Sequence, residues 1–136
     1  MRTYLYAIIA IIILFFAQTL GGIYDLYIRF PGYDIPMHIL GGVGIGFSIV
    51  AVLRTLLRSN GLASKLGKNI SSKKFYSLTI FFVFLGGFLW ELFEAYYNIA
   101  GAPVGSKAYY IDTVKDLMDD TIGGIIVILS EIKRAR

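Results

Sequence analysis

The sequence has no cysteine, and it has only one histidine and three prolines among its 136 residues. The absence of cysteine excludes disulfide bonds, thiolate metal ligands and a cysteine nucleophile. The chain also contains no HExxH pair or other specific metal-binding motif. A metal site would therefore have to combine side chains from distant parts of the chain.

Charged residues are also scarce, at 16% of the chain against 57% hydrophobic residues. The mean hydropathy of +0.69 is too high for an ordinary soluble domain. Apolar runs cover residues 4–26, 35–57, 75–100 and 113–132, and each approaches or exceeds the roughly 20 residues that span a bilayer. We therefore predict one all-α domain over residues 1–136, a polytopic transmembrane four-helix bundle without a separate soluble catalytic domain.

The basic residues predict the topology of this bundle. Most of the 13 Lys and Arg residues lie at the two ends of the chain and between the second and third runs, at Arg2, Arg54, Arg58, Lys65, Lys68, Lys73, Lys74, Lys133, Arg134 and Arg136. The positive-inside rule then places both termini in the cytoplasm, which explains the net charge of +4 without a nucleic-acid partner. No convincing signal-peptide cleavage site follows the first run, so we predict an uncleaved, multi-pass protein of the inner membrane.

With this topology, all nine acidic residues except Glu131 fall on the outer side of the membrane. Several of them lie within apolar runs, where a carboxylate needs a partner, a proton or a polar cavity. The candidate site residues are Asp34 just before the second run and His38 within it, Glu91 and Glu94 in the third run, and Asp112 just before the fourth run with Asp116 and Asp120 within it. The spacing of four residues stacks the last three on one helix face.

The second and fourth runs share a pattern that predicts how their polar groups meet. Asp34-x-x-x-His38-x-x-Gly41-Gly42 is echoed by Asp116-x-x-x-Asp120-x-x-Gly123-Gly124, which suggests a parallel repeat of two helical hairpins. Small residues allow close helix packing in membranes, so the glycines would bring the two polar pairs together. The glycine-rich faces could equally serve a homo-oligomer.

Several carboxylates in a medium of low dielectric constant cannot all ionise unaided, and a divalent metal would neutralise them. Carboxylates with a histidine suit Zn²⁺, Mn²⁺ or Mg²⁺, and oxygen ligands alone suit Ca²⁺. We predict that the metal ligands are His38, Glu91, Asp116 and Asp120, with Asp34, Glu94 and Asp112 behind them. Glu91 and His38 are the candidate catalytic residues, with Glu91 as the base that assists attack by a metal-bound water on a phosphoester.

Two alternatives remain open from the sequence. Some carboxylates could stay protonated and relay protons or cations, as in a coupled transporter or an ion-binding protein, although few polar residues continue the route beyond Asp120. In a purely structural protein, Asp34 and Asp112 would cap helices, and the acids would pair with Arg29, Lys107 and Lys115.

The order of these motifs resembles the VanZ-like family of small membrane proteins. The resemblance rests on Asp34-x-x-x-His38, on Glu91-Leu-Phe-Glu94 where that family has Glu-x-x-Gln, and on Asp116-Leu-Met-Asp-Asp120-Thr-Ile-Gly123 where it reads Asp-x-x-x-Asn-x-x-Gly. The substitutions make this site more anionic, which favours a cation ligand. The family's namesake is associated with low-level resistance to the antibiotic teicoplanin, and the resemblance therefore implies a role at the cell envelope.

Together these features predict a membrane protein that binds a divalent metal, Zn²⁺, Mn²⁺, Mg²⁺ or Ca²⁺, on the outer side. Its expected partner is a membrane lipid or the head group of a lipid-linked precursor. If the protein is an enzyme, we expect metal-dependent hydrolysis or transfer at a lipid phosphate.

Overall fold

The computed structural model describes residues 2–58, 72–99 and 101–135. It contains four long helices and one short one: α1 (Arg2–Ile23), α2 (Leu26–Arg29), α3 (Asp34–Arg58), α4 (Ser72–Tyr97) and α5 (Lys107–Ala135). No strand occurs in these described ranges, which confirms the all-α prediction. Three helices, α1, α3 and α4, are long and apolar enough to cross a membrane. Some of the basic residues between the second and third predicted runs, including Lys65 and Lys68, lie outside the described residues.

The predicted runs agree with α1, α3 and α4 to within three residues at each end, whereas α5 begins well before its predicted run. α1 ends at Ile23 rather than at residue 26 because Asp25 adopts a left-handed backbone conformation with φ of 52°. α5 begins at Lys107 rather than at residue 113 because Ser106 Oγ accepts a hydrogen bond of 3.1 Å from the backbone N–H of Tyr109. Asp112 therefore lies in the second turn, and the prediction that it caps this helix is wrong.

α3 is the central helix and packs against α1, α4 and α5, while α5 also packs against α4. The apolar core comprises Ala7, Phe47, Val50, Phe75 and Val127. α3 and α5 run parallel, since His38 approaches Asp116 at one end and Arg54 pairs with Glu131 at the other. Two antiparallel hairpins, α1–α3 and α4–α5, thus place their second helices side by side, as the sequence echo predicts.

Glycines allow the backbones of α3 and α5 to touch. A Cβ atom on Gly42 would overlap the carbonyl oxygen of Asp120, and a Cβ atom on Gly123 would overlap the carbonyl oxygen of Ile39. Any side chain at either position would force the two helices apart. The close packing predicted from the shared glycine pattern is confirmed at these two positions.

The exposed and buried faces of α5 are inverted relative to a helix of a soluble protein. Its buried face carries the carboxylates of Asp116, Asp120 and Glu131. Its exposed face is apolar and is formed by Ile111, Val114, Met118, Ile122, Ile125, Ile126 and Leu129. A soluble helix turns its apolar stripe inward, whereas membrane helices turn charged groups toward the protein interior.

Candidate metal centre

His38 lies on the buried face of α3 and is 6% exposed. Its Nε2 atom is 3.5 Å from Oδ1 of Asp34 and 3.9 Å from Oδ2 of Asp116. Its Nδ1 atom is 3.4 Å from Oδ2 of Asp120. A single imidazole therefore faces three carboxylates contributed by two parallel helices.

Asp34, His38 and Asp116 each offer a ligand atom within 4.8 Å of those of the other two. The set consists of one imidazole nitrogen and two carboxylate oxygens, which is a donor combination that binds Zn²⁺ and related divalent ions. Asp116 is almost fully buried, whereas the side chain of Asp34 is 32% exposed. The group is therefore shielded from the protein surface on the α5 side, and it can be reached from the surface next to Asp34.

Asp120 contacts the imidazole nitrogen that faces away from this group. A carboxylate in that position can accept a hydrogen bond from Nδ1–H, which leaves the Nε2 lone pair available to a metal. Gly87 of α4 makes room for it, because a Cβ atom there would overlap Oδ2 of Asp120. Gly87, the second glycine of the Gly86-Gly87 pair, thus leaves the space that the Asp120 carboxylate occupies.

Glu91 is 3% exposed and lies one helical turn beyond Gly87 on the buried face of α4. Its Oε2 atom accepts a hydrogen bond of 2.8 Å from the hydroxyl of Thr113. Its Oε1 atom is buried and has no hydrogen-bond partner among the described residues. A buried carboxylate oxygen without a donor is costly, so a proton or a ligand is expected there.

The remaining predicted residues occupy the edge of the centre. Lys115 Nζ lies 3.2 Å from Oδ1 of Asp116 and 3.6 Å from Oδ1 of Asp112, which is 41% exposed. Glu94 accepts a hydrogen bond of 2.8 Å from the indole N–H of Trp90. The predicted pairing with Lys115 is present, whereas no ion pair to Arg29 or Lys107 occurs within the described part of the chain.

The structure thus groups the predicted residues differently from the sequence hypothesis. Asp34 joins His38 and Asp116 in the three-residue group, Asp120 contacts the opposite face of the imidazole, and Glu91 bonds to Thr113. The position of Asp34 could have been found from its spacing, since residues four apart on a helix are neighbours. The Thr113 contact had no signal in the sequence.

A groove of about 620 Å³ extends from the candidate metal centre between α1 and α4, with α3 as its floor. We call it the α1–α4 groove. Asp34, His38, Glu94 and Asp120 line one end, and the lining beyond them is largely apolar, with Ile11, Leu14, Phe15, Gly44, Ile45 and Gly86.

Tyr27 of α2, which lies outside the long helices, also lines this groove. Its hydroxyl donates a hydrogen bond to Oε1 of Gln18. Burial and the nearby carboxylate of Asp34 raise the pKa of the Tyr27 hydroxyl to about 12. Tyr27 is therefore a neutral hydrogen-bond donor at physiological pH.

A second polar cluster lies at the opposite end of the helices, and sequence reasoning missed it. Glu131 is 1% exposed and pairs with Arg54 and, at 2.9 Å, with Arg134. Arg54 also donates a hydrogen bond of 3.0 Å to the hydroxyl of Thr3, and the Arg134 guanidinium lies 4.3 Å from the centre of the Tyr6 ring. The sequence did contain a signal for this cluster, because Arg54 and Glu131 are charged residues that lie inside predicted spans.

An apolar layer separates the two polar clusters. Val50, Val83 and Val127, one each from α3, α4 and α5, are fully buried. Phe47 packs against the same core. Thr79 of α4 is also fully buried, and its hydroxyl donates a hydrogen bond of 3.0 Å to the carbonyl oxygen of Phe75 in its own helix. Among the described residues, no buried charged side chain lies between the two polar clusters.

Comparison with known proteins gives a family but no function. A family described as "Predicted membrane protein (DUF2238)" matches residues 1–135. No VanZ-like family model matches, so that resemblance stays a prediction. No curated protein and no solved structure matches the chain. With a match over nearly its whole length and three membrane-capable helices, the chain belongs to the DUF2238 family of predicted membrane proteins.

Proposed function

We propose that this membrane protein binds a divalent metal ion through Asp34, His38 and Asp116 and presents it to the head group of a membrane lipid or lipid-linked precursor. The observation that carries the proposal is the convergence of three ligand atoms within 4.8 Å of one another. His38 and Asp116 are both buried, and a divalent ion would neutralise the carboxylates that face the imidazole.

The charges of the site fit Zn²⁺ or Mn²⁺. With Nδ1–H directed at Asp120, a neutral imidazole and the carboxylates of Asp34 and Asp116 would balance a divalent ion. The imidazole ligand favours these ions over Ca²⁺, which prefers oxygen ligands alone. Three protein ligands leave a position for a further ligand, as at catalytic zinc sites. Catalysis at a lipid phosphate with Glu91 as base remains a prediction.

Metal binding should stabilise the folded protein measurably. At a free Zn²⁺ or Mn²⁺ concentration 100 times the Kd, we expect about 2.7 kcal/mol of added stability, seen as a higher Tm in nanodiscs. His38→Ala and Asp116→Asn should lose this increase, whereas Asp25→Asn should keep it, since Asp25 is exposed and outside the group. An equal Tm shift in all four proteins would count against the site.

Asp120 should tune metal affinity without being essential to it. Replacing an outer carboxylate that orients a histidine ligand typically lowers metal affinity 10- to 100-fold. We therefore expect Asp120→Asn to weaken metal binding by about that factor in a calorimetric titration. Complete loss of binding would instead make Asp120 a ligand itself, and an unchanged Kd would remove it from the site.

We also propose that α5 is the fourth span, with both termini in the cytoplasm and the metal centre near the outer surface. The inverted faces of α5 support this, because its charges point inward and its exposed face suits lipid. The basic residues near Arg54 and Lys133 support the orientation.

The absence of native cysteine allows a direct test of this topology. In intact cells, a membrane-impermeant maleimide should label Asp25→Cys, at the metal-centre end, but not Lys133→Cys, at the other end of α5. Lys133→Cys should react after the membrane is permeabilised. Labelling of Lys133→Cys alone in intact cells would invert the orientation, and labelling of both would place the two ends on the same side.

The alternative function, a proton- or cation-coupled transporter, requires a polar route through the protein. The buried layer of Val50, Val83 and Val127 counts against such a route. We therefore expect reconstituted protein to show no ion flux above that of empty liposomes.

A further inference from the structure

Glycines of two helices contribute to the lining of the α1–α4 groove. Gly41 and Gly44 of α3 and Gly86 and Gly87 of α4 line it without side chains. Its wall on α1 includes Ile11 and Phe15, which are 51% and 66% exposed. The groove is therefore open along its side to whatever surrounds the helices, which for a membrane protein is lipid.

The length of the groove matches one leaflet of a bilayer. Its lining on α3 extends from the metal centre at His38 to Ser48, a distance of about 15 Å at 1.5 Å per helical residue. The hydrocarbon core of a bilayer is about 30 Å thick, so the groove spans about half of it. A chain that enters from one leaflet would fit along its length.

The polarity of the groove selects an amphipathic occupant in one orientation. Acidic groups and the imidazole lie at one end. At the other end, the Ser48 hydroxyl donates to the carbonyl oxygen of Gly44 in its own helix, at 2.8 Å, and so offers little to a ligand. The apolar end would therefore hold hydrocarbon and the polar end a head group.

Two hydrogen-bond donors at the polar end are already engaged. The Tyr27 hydroxyl donates to Gln18, and the Trp90 indole N–H donates to Glu94. We therefore expect the metal centre to contribute most to recognition of a head group, since phosphate oxygens are suitable ligands for the open position of a divalent ion.

We infer that the α1–α4 groove binds one hydrocarbon chain of a phospholipid, which enters sideways from the membrane with its phosphate at the metal centre. This inference names the ligand of the proposed function and rests on it for the head group. The chain subsite stands on the shape and polarity of the groove alone.

The variant Ile11→Trp tests the chain subsite by filling the groove from an exposed position on α1. Ile12→Trp is the matched control, since Ile12 is 48% exposed on the same helix and does not line the groove. Delipidated protein would be titrated with dioleoyl phosphatidate in native mass spectrometry, and with glycerol phosphate as the chainless probe. Metal content would be measured in every sample.

We expect wild type and Ile12→Trp to bind one phosphatidate with equal affinity, and Ile11→Trp to bind it at least tenfold more weakly with its metal retained. Glycerol phosphate should bind far more weakly than phosphatidate. Equal phosphatidate affinity in the two tryptophan variants would overturn the inference and leave the metal site standing. Absence of metal from every protein would instead overturn the proposed function. The chain subsite would still be tested by comparing the phosphatidate affinities of Ile11→Trp and Ile12→Trp.

Crosslinking of wild-type protein provides a test that does not depend on a variant folding. A phosphatidate with a photoreactive diazirine in its acyl chain should form adducts with Ile45, which lines the groove on α3. Adducts confined to outward residues such as Ile12 and Phe16 would show only surrounding lipid and would contradict the inference.

Discussion

Replacing Gly42 by alanine is expected to lower the stability of the protein more than alanine at any other described glycine. The new Cβ atom would overlap the backbone carbonyl oxygen of Asp120, which cannot rotate away as a side chain could. We expect a loss of at least about 3 kcal/mol, the upper part of the range for overpacked interiors. The expected result is a sharply lowered Tm in nanodiscs together with loss of metal binding, because Asp120 and Asp116 would move away from His38.

Gly44→Ala is the matched control, two residues further along the same helix. A Cβ atom there would lie 3.4 Å from Cγ1 of Ile11, which is ordinary contact. Alanine is favoured over glycine in a helix by about 0.5–1 kcal/mol, so this variant should be as stable as wild type or more so. Equal Tm values for Gly42→Ala and Gly44→Ala would show that α3 and α5 do not pack through Gly42.

Replacing Arg54 by alanine is expected to have the second largest effect. It removes a partner of Glu131, the most deeply buried carboxylate among the described residues, and the hydrogen bond to Thr3. Breaking a buried ion pair costs about 3–5 kcal/mol when a charge is left without compensation. Because Arg134 still pairs with Glu131 and Arg54 is 41% exposed, we expect about 2–3 kcal/mol.

Lys133→Ala controls for the loss of one positive charge at the same end of the protein. Lys133 is exposed and lies next to the cluster in sequence, so its replacement should change the unfolding free energy by less than about 0.5 kcal/mol. Arg54→Ala should retain its metal, since the cluster lies beyond the apolar layer from His38. If the Tm of Arg54→Ala equals that of Lys133→Ala, Arg54 does not stabilise the buried Glu131.

The sequence predicts α1, α3 and α4 well because hydrophobicity over about 20 residues is a local property of the chain. α5 is harder, since its inward carboxylates lower its hydropathy. The apolar run over residues 113–132 predicts it, and on such a helix Asp112, Asp116 and Asp120 share one face. Its start at Lys107 escaped prediction, since a serine in a glycine- and proline-containing loop gives a weak capping signal.

The members of the candidate site were predictable, but their grouping was not. His38 and Asp116 could be brought together by the glycine pattern, because Gly42 and Gly123 fix the register of α3 against α5. The presence of Asp34 in the three-residue group, and the absence of the predicted ligands Glu91 and Asp120 from it, depend on helix rotation and side-chain rotamers, which neither spacing nor topology determines. The pairing of Arg54 with Glu131 was missed because these residues are 77 positions apart and share no motif.

The candidate metal centre and the lipid-sized groove together carry the proposed function. The polar end alone could be a structural cluster, and the apolar groove alone could be a packing defect. Their junction at Asp34, His38, Glu94 and Asp120 is the basis for the proposed binding of a molecule with a phosphate and a hydrocarbon chain.

The metal content of the purified protein tests the central claim most directly. Elemental analysis would compare wild type with Asp34→Asn, His38→Ala, Asp116→Asn and the control Asp25→Asn, each loaded with Zn²⁺ or Mn²⁺ and dialysed. We predict about one tightly held ion per chain in wild type and in Asp25→Asn, since three ligands converge on one point, and almost none in the other three variants. No bound ion in wild type, or the same content in all five proteins, would contradict the assignment of a metal site to Asp34, His38 and Asp116.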